Sequence, residues 1–395
     1  MNVLSLFSGC GGMDLGFEGD FTCLKKSIKN IEWIEEDLGE WVRVRPTGFR
    51  TVFANDIRPD AKIAWETYFG RQGVYHLDSI VDLVKRQKSG EQVFPEEHID
   101  IVTGGFPCQD FSVAGKRLGF ESHKSHTGGK LEIGEPSIES RGQLYMWMRE
   151  VITITRPNLF IAENVKGLTN LGDVKEIIEH DFAEAGGAGY LVVPARVLLA
   201  ANYGVPQSRE RVLFFGFKKS ALRDEALEGL KANSEEYTPY PPITHEKDSF
   251  VTCRDAFIGL KEPEYSNDPS QQKYSKAKFM GKHCQGQSEI KLDSIGPTIR
   301  SEHHGNIEYR RLSEEHGGKH LEELASGLKE RRLTVRECAR LQTFPDEYKF
   351  ILSLKEDGVS LNSSDAYKII GNAVPVVLAY NVAMNIGDKW SLWFK

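Results

Sequence analysis

Cys108 is placed where a thiol could act as a nucleophile. It lies in the segment GGFPCQ at 104–109, shortly after an apolar run of strand length at 99–103. A cysteine attacks as its thiolate, which nearby positive charge or a helix N-terminus favours, whereas a buried structural cysteine stays inert. The spacing leaves both roles open, and the chemistry that this position could supply is nucleophilic catalysis by sulfur.

Two further segments carry polar groups that could meet Cys108. Glu163 and Asn164 follow the next apolar run, so a carboxylic acid could face the thiol across the carboxyl edge of a sheet. Arg209 and Arg211 stand two residues apart and therefore on one side of an extended chain. Their guanidinium groups could hold a phosphate, a carboxylate or a base carbonyl. The sequence thus predicts a nucleophile and an acid in one pocket.

A glycine-rich turn and two aspartates favour a cofactor site at the same edge. The first apolar run, 3–7, is followed by SGCGG at 8–12, and glycine lets a backbone come close to a ligand. The spacing differs from the GxGxxG of dinucleotide enzymes. Asp56 and Asp78 follow the next two runs, where carboxylates can accept hydrogen bonds from ribose hydroxyls. Either aspartate alone is typical of a turn or cap, but the combination favours a cofactor with an adenosine half.

The order of apolar runs predicts an α/β fold. Strand-length runs alternate with helical segments to about residue 217, which is typical of a parallel sheet covered by helices. A polar, Pro- and Lys-rich stretch then indicates a smaller second domain at 219–359, and 360–395 returns to complete the first domain at 1–218. Residues 19–50 form an insertion without an assigned function. The predicted strands lie at 3–7, 51–55, 75–77, 99–103, 158–162, 191–199 and 211–217.

Composition limits the partners only weakly. The 50 Lys and Arg against 57 Asp and Glu give a net charge of −7, which argues mildly against nucleic acid binding by the whole surface. Residues 273–311, with eight basic and four acidic side chains, could neutralise phosphates or form a solvated loop. The six cysteines contain no CxxC pair, which favours free thiols and argues against a metal site. Without a signal peptide or a run of about 18 apolar residues, we expect a cytoplasmic protein with no membrane partner.

In order and in type, these residues resemble the motifs of the cytosine-5 DNA methyltransferase family of bacterial restriction-modification systems. The matching segments are the cofactor loop FSGCGG at 7–12, the nucleophile motif PCQ at 107–109, the acid motif ENV at 163–165, the base-contacting motif QSRER at 207–211, the motif beside the recognition region at 332–346, and the C-terminal cofactor motif GNAVP at 371–375. The resemblance covers the chain nearly end to end and implies a doubly wound, mostly parallel methyltransferase sheet with a second, smaller target-recognition domain. It departs at Ile369 and Ala373, where members often carry glutamine and serine.

The resemblance implies methyl transfer from S-adenosyl-L-methionine to carbon 5 of a cytosine in double-stranded DNA. Attack of the Cys108 thiolate at carbon 6 would turn the ring into an enamine that can accept a methyl group. Glu163 would hydrogen-bond to or protonate ring nitrogen 3. The implied catalytic residues are Cys108, Glu163, Arg209, Arg211, Pro107, Gln109 and Asn164. The implied cofactor-binding residues are Phe7, Ser8, Gly9, Cys10, Gly11, Gly12, Asp56, Ile57, Asp78, Ser79, Asn372 and Ala373.

DNA contacts are expected in two places. The target base must be flipped out of the duplex before these groups can reach it, and the glycine-rich loop at 111–141 is suited to closing over it. The segment 273–311 carries side chains that can read base edges in the major groove, unless they touch only phosphates. The residues expected to contact DNA are Ser112, Lys116, Arg117, Arg300, His303, His304 and Asn306.

Three alternatives stay open at this level. An RNA cytosine-5 methyltransferase acting on transfer RNA would share the catalytic motifs, although no CFT motif typical of that branch is found. A nicotinamide-dependent oxidoreductase would share the glycine loop but not PCQ or ENV. A non-catalytic DNA-binding module would be expected to lack Cys108 or Glu163. We expect a monomer, and the sequence leaves open whether a restriction endonuclease accompanies it without a stable complex.

Overall fold

The computed structural model describes residues 1–107, 144–301, 306–354 and 359–395. The strands in these residues are β1 (Asn2–Leu6), β2 (Thr22–Leu24), β3 (Ile34–Asp37), β4 (Trp41–Val44), β5 (Arg50–Asp56), β6 (Tyr75–Leu77), β7 (Ile101–Gly105), β8 (Leu159–Val165), β9 (Tyr190–Leu199), β10 (Glu210–Lys218), β11 (Tyr309–Arg311), β12 (Arg331–Arg332), β13 (Leu352–Leu354) and β14 (Val359–Leu361). The α-helices are α1 (Gly12–Glu18), α2 (Pro59–Phe69), α3 (Ile80–Lys88), α4 (Leu144–Thr155), α5 (Val174–Ala183), α6 (Ala185–Ala188), α7 (Asp224–Lys231), α8 (Cys253–Ala256), α9 (Pro269–Gln272), α10 (Leu321–Ala325), α11 (Val335–Leu341), α12 (Ser363–Asn372) and α13 (Val376–Trp393).

The central sheet of the described residues has seven strands in the order β6-β5-β1-β7-β8-β10-β9. Neighbours from β6 to β8 are parallel, and β10 runs antiparallel to both β8 and β9. Successive residues of a strand face opposite sides, so Val3 and Ile101 join one hydrophobic core and Leu4 and Val102 join the other. Burial on both faces explains the continuous apolar runs. The predicted doubly wound α/β fold is confirmed.

All seven predicted strands are present, but two have ends that differ by two or more residues. The strand predicted at 99–103 is observed at Ile101–Gly105, because Gly104 and Gly105 pair with β8 instead of beginning a turn. The strand predicted at 158–162 continues through Val165, because β10 pairs with it as far as that residue. Glu163 and Asn164 therefore lie within a strand and not after it.

The insertion at 19–50 forms a separate antiparallel sheet in the order β2-β4-β3. Its aromatic side chains pack on the last helix, where Phe21 and Trp33 each make an edge contact with Tyr380 at 5.5 and 5.6 Å between ring centroids. The sheet also contacts the later part of the chain. Lys26 is paired with Asp255 at 2.7 Å. The insertion thus bridges the C-terminal helix and the polar region that follows β10.

The C-terminal segment packs against helix α1 near the start of the chain. α13 lies along α1. The stretch Ser363–Trp393 is long and apolar enough to cross a membrane, but 94% of its most apolar window is buried inside the fold. Residues soon after β10 pack on the same face, since Tyr240 meets Phe215 at 5.0 Å. These contacts make α13 the helix that closes one side of the sheet.

The packing of α1 on α13 generates a prediction with a matched control. A Cβ at Gly16 would lie 2.5 Å from the Val376 carbonyl oxygen and 2.8 Å from the Tyr380 nitrogen, whereas a Cβ at Gly387 would lie 3.9 Å from its nearest neighbour. Gly16→Ala should therefore lower the free energy of unfolding by about 1–3 kcal/mol. Gly387→Ala should raise it by about 0.5–1 kcal/mol, because alanine is the better helix former. Denaturant titration measures both, and equal effects would contradict this account of the packing.

Candidate active site

The carboxyl ends of five strands, β6, β5, β1, β7 and β8, meet at one edge of the sheet, where such folds bind ligands. The described residues of the predicted catalytic and cofactor segments before residue 170 lie at or near this edge. Pro107, two residues beyond β7, is half-buried and is the last described residue before the nucleophile. The predicted residues Cys108, Gln109, Ser112, Lys116 and Arg117 lie outside the described residues, so their roles stay predictions.

Glu163 is buried and paired with Arg211. The Arg211 Nε atom lies 2.6 Å from Glu163 Oε1, and the two side chains are only 9% and 10% exposed. Loss of water around the carboxyl raises the pKa of Glu163, while the positive charges of Arg211 and Arg209 oppose the shift. A carboxyl whose pKa is raised in this way can hold a proton closer to neutral pH, which is what a general acid requires.

The strand next to Glu163 is shaped to leave room for its carboxyl group. Gly105 of β7 is paired with Glu163, and a Cβ at position 105 would lie 2.9 Å from Glu163 Oε2. Asn164 is buried, and its Nδ2 atom donates a hydrogen bond to the Phe106 carbonyl at 3.2 Å. This bond fixes the backbone two residues before Cys108. Asn164 therefore holds in place the backbone that leads to Cys108.

Arg209 lies close enough to Glu163 to affect its pKa, yet its described hydrogen bonds go to backbone carbonyls. Nη1 donates to Ile299 and Nη2 donates to Gly371, both at 2.9 Å, and the residue is 1% exposed. The two arginines predicted to act together thus have different partners. Arg211 contacts the Glu163 carboxyl directly, whereas Arg209 joins the backbone at Ile299 to the C-terminal end of α12 at Gly371.

The glycine loop after β1 is fixed by hydrogen bonds from two directions. The Gly9 nitrogen donates to Asp56 Oδ2 at 3.0 Å, and Tyr75 donates to the Gly9 carbonyl at 2.9 Å. Gly9 has φ +53°, and a Cβ there would meet nothing within 4 Å. The loop is open above Gly9, as close approach of a ligand requires. Asp56 is thus bound to the loop as well as placed at the edge.

A buried network under the loop was missed by the sequence analysis. Asp14 accepts hydrogen bonds from Ser5 at 2.5 Å and from the Trp65 indole at 2.8 Å, and Ser8 donates to Ser5 at 2.8 Å. Burial raises the pKa of Asp14 to about 6, although both hydrogen bonds oppose the shift. The available signal was an acidic residue inside the apolar helix that follows the glycines. Its side chain ties α1, β1 and α2 together beneath the loop.

The remaining predicted cofactor residues lie along the same edge. Two apolar side chains are exposed beside the aspartates, Ile57 by 42% and Leu77 by 39%. Asp78 is exposed, and Ser79 accepts a hydrogen bond from the Val81 nitrogen as the cap of α3. Exposed apolar and acidic side chains side by side suit the base and the ribose of an adenosine. The other predicted members are Phe7, Cys10, Gly11, Gly12, Asn372 and Ala373, of which Asn372 is exposed and Ala373 is buried.

In the segment 273–311, which is predicted to contact DNA, the structure describes Arg300 and Asn306. His303 and His304 lie outside the described residues, and the DNA contacts of all four residues stay predictions. Arg300 Nη2 lies 2.9 Å from Glu308 Oε1 and donates to the Asn306 carbonyl at 3.2 Å. The Arg300 side chain is 28% exposed, whereas that of Glu308 is 4% exposed. The arginine is therefore held in place by a buried carboxylate with part of its surface open.

Comparison with known proteins identifies the family. The model of the C-5 cytosine-specific DNA methylase family matches residues 1–388, and the chain belongs to that family. It is 34% identical to the Type II methyltransferase M.BspRI of Lysinibacillus sphaericus over 98% of this chain and 81% of that protein, and 31% identical to M.BsuRI of Bacillus subtilis over 99% and 80%. The Dnmt2 methyltransferase structure of S. pombe shares the fold, with a TM-score of 0.56, 18% identity and 98% of each chain covered.

The chain is therefore a DNA cytosine-5 methyltransferase, as the sequence resemblance predicted. The family assignment favours DNA over the transfer RNA alternative. It also excludes the oxidoreductase and non-catalytic alternatives. A methyltransferase requires a methyl donor, so the family assignment implies that this chain uses one.

The buried Asp14 predicts a specific dependence of stability on pH. Its folded pKa of about 6 exceeds the usual value of 3.8, so its contribution to stability is complete below about pH 4 and is lost as pH rises through 6. Relative to Asp14→Asn, the wild type should lose about 2 kcal/mol of unfolding free energy between pH 4 and 7. Urea titrations of both proteins across that interval measure the difference. A difference that stays constant with pH would contradict the shifted pKa.

Proposed function

We propose that the protein transfers a methyl group from S-adenosyl-L-methionine to carbon 5 of a flipped-out cytosine within a specific double-stranded DNA sequence, through a covalent adduct with Cys108. The observation that carries the proposal is the buried ion pair between Glu163 and Arg211, 2.6 Å apart. Glu163 lies on β8, which pairs with β7, the strand that leads to Cys108. A protonatable acid and a neighbouring nucleophile are what attack on a cytosine ring requires.

In the proposed reaction the Cys108 thiolate forms a bond to carbon 6 of the ring, and electron density moves toward ring nitrogen 3. Glu163 donates a hydrogen bond or a proton there, and Arg211 keeps its carboxyl in place. Carbon 5 then accepts the methyl group. Loss of the proton from carbon 5 returns its electron pair to the ring and expels the thiolate. Any proton that ring nitrogen 3 received returns to Glu163, which restores the aromatic base, the acid and the free cysteine.

The proposed donor supplies an electrophilic methyl group, and the edge residues fit its adenosine half. Asp56 and Asp78 are placed to accept hydrogen bonds from hydroxyl groups, and the exposed side chains of Ile57 and Leu77 offer apolar surface to an adenine ring. Asn372 lies exposed at the end of α12. The open backbone at Gly9 leaves space for close approach of the donor.

Target recognition is proposed to reside in residues 219–359, with 1–218 and 360–395 forming the catalytic domain. Base flipping makes the target cytosine reachable, and Arg300, Asn306 and the histidines between them are proposed to contact DNA. We further propose a monomer that acts on DNA in the bacterial cytoplasm as part of a restriction-modification system, with a cognate endonuclease that forms no stable complex with it.

Covalent trapping tests the nucleophile. Cys108→Ala should reduce methyl transfer by at least 10³-fold while leaving DNA and cofactor affinity within a few-fold of wild type, because only the bond to carbon 6 is lost. A duplex containing 5-fluorocytosine in the target should trap the wild type as a complex that survives denaturing electrophoresis. Cys23→Ala is the matched control, because Cys23 is a buried free cysteine of β2 in the insertion and should not form the adduct itself. Trapping of Cys108→Ala as efficiently as wild type would remove Cys108 from the mechanism.

The DNA-reading role of Arg300 is tested by Arg300→Lys. Lysine keeps the charge beside Glu308 and can still meet a phosphate, but it lacks the planar fork that binds a base edge at two points. A base contact predicts a loss of about 1–3 kcal/mol at one target position with relaxed preference there. Methylation of a randomised target library, read by bisulfite sequencing, measures this and also defines the target. Arg254→Lys, at an exposed pair with Asp293, is the control. A uniform loss across all sequences would overturn base reading by Arg300.

A further inference from the structure

Both backbone groups of Ile299 are bound by side chains of the QSRER segment. The Ile299 nitrogen donates to Gln207 Oε1 at 2.9 Å, and its carbonyl accepts from Arg209 Nη1 at 2.9 Å. Gln207 is 0% exposed and Arg209 is 1% exposed. Ile299 directly precedes Arg300, so the residue proposed to contact DNA is attached to two buried side chains of the catalytic domain.

The same two side chains lead to residues 370–373, which form the C-terminal end of α12. Arg209 Nη2 donates to the Gly371 carbonyl at 2.9 Å. Gln207 Nε2 donates to Gln342 Oε1 at 3.1 Å, and Gln342 Nε2 donates to the carbonyls of Ile370 at 2.7 Å and Ala373 at 3.2 Å. Two separate chains of hydrogen bonds therefore connect the backbone of Ile299 with the backbone around the proposed cofactor residue Asn372.

Steric contact adds a third connection. A Cβ at Gly371 would lie 2.2 Å from the carbonyl carbon and oxygen of Arg300, so the two backbones are packed directly against each other. Any displacement of Arg300 along this direction must move the 371 backbone as well, because a close-packed interior has no free volume to absorb it. Contiguous packing and hydrogen bonding of this kind can carry energetic coupling between two sites.

We infer that DNA binding and cofactor binding are coupled through Gln207, Arg209 and Gln342, which act as positioning residues between Ile299 and the C-terminal end of α12 at 370–373. The inference rests on the proposed function, since it takes Arg300 as a DNA contact and Asn372 as a cofactor contact. Contacts with a DNA duplex that restrain Arg300 and Ile299 also restrain residues 370–373, so that less ordering of this segment remains for cofactor binding. Linkage requires the reverse effect to be equally large.

Isothermal titration tests the coupling without turnover. S-adenosyl-L-homocysteine, the product form of the proposed donor, is titrated into the full-length protein alone and into the protein saturated with a duplex that carries the mapped target. The ratio of the two dissociation constants measures the coupling, which for allosteric pairs is about 5- to 150-fold. We expect the wild type to lie in that range, with a smaller ratio for a duplex that lacks the target.

Gln342→Met is the decisive variant, because methionine matches glutamine in length but donates no hydrogen bond to Ile370 or Ala373. Its ratio should fall at least fivefold toward one. Gln271→Met is the matched control. Gln271 is also 0% exposed and donates a hydrogen bond to the Lys261 carbonyl at 2.8 Å. Its described hydrogen bonds do not involve residues 370–373 at the end of α12. Its ratio should stay at the wild-type value.

Arg209→Lys provides a second measurement if Gln342→Met does not fold, because one ammonium group cannot serve both carbonyls as the guanidinium fork does. Its ratio should also fall. A wild-type ratio of one, unchanged ratios in these variants, or an equal fall in Gln271→Met would each overturn the coupling. Failure of the wild type to bind either ligand would count instead against the proposed function, so the two failures are distinguishable.

Discussion

The Glu163 carboxyl can stay inside the fold because Arg211 lies against it. A carboxylate removed from water without a partner loses several kcal/mol, more than most single interactions in a domain return. The pairing geometry supplies the partner. β10 enters antiparallel between β8 and β9, which sets Arg211 opposite Val165 and lets its side chain reach back to the acid two residues away. The antiparallel strand is thus what allows the sheet edge to hold an acid in a dry site.

Neutral amide side chains make most of the connections between three segments near this acid: the residues before β10, the residues around Ile299 and the end of α12. Gln207 and Gln342 satisfy one another and several backbone groups in a region from which water is excluded. An amide both donates and accepts, so it can bind an N–H and a carbonyl without the desolvation energy that a buried ion requires. Arg209 is the exception, and its charge lies near Glu163, where it opposes the rise in the pKa of the acid. Arg209 therefore both donates hydrogen bonds to two buried carbonyl groups and opposes the rise in the pKa of Glu163.

The sequence predicted the elements that periodicity determines, and it failed where tertiary contacts decide. Apolar runs located the strands, and residue types at their ends located Glu163, Asp56 and the glycine loop. The end of β8 was wrong because its extension depends on pairing with β10, a partner distant in sequence. Arg209 and Arg211 were given one shared role, since spacing shows only that both lie on one side of a strand. Their partners, the Ile299 carbonyl and the Glu163 carboxyl, follow from the packing of the later segments.

The charge of residues 273–311, the segment proposed to contact DNA, is another property that the sequence alone could not interpret. Counted along the chain, 273–311 has an excess of basic residues, but its basic residues form two populations. All of its arginines are paired with buried or half-buried carboxylates, Arg300 with Glu308, and Arg310 and Arg311 with Glu323. All of its lysines are exposed, at positions 273, 276, 278, 282 and 291. Arginine has the planar donors that organise a domain interior, and lysine is a strongly hydrated point charge. The lysines are therefore the exposed charges proposed to replace counterions on DNA, while the arginines, Arg300 among them, are held in fixed positions by their carboxylates.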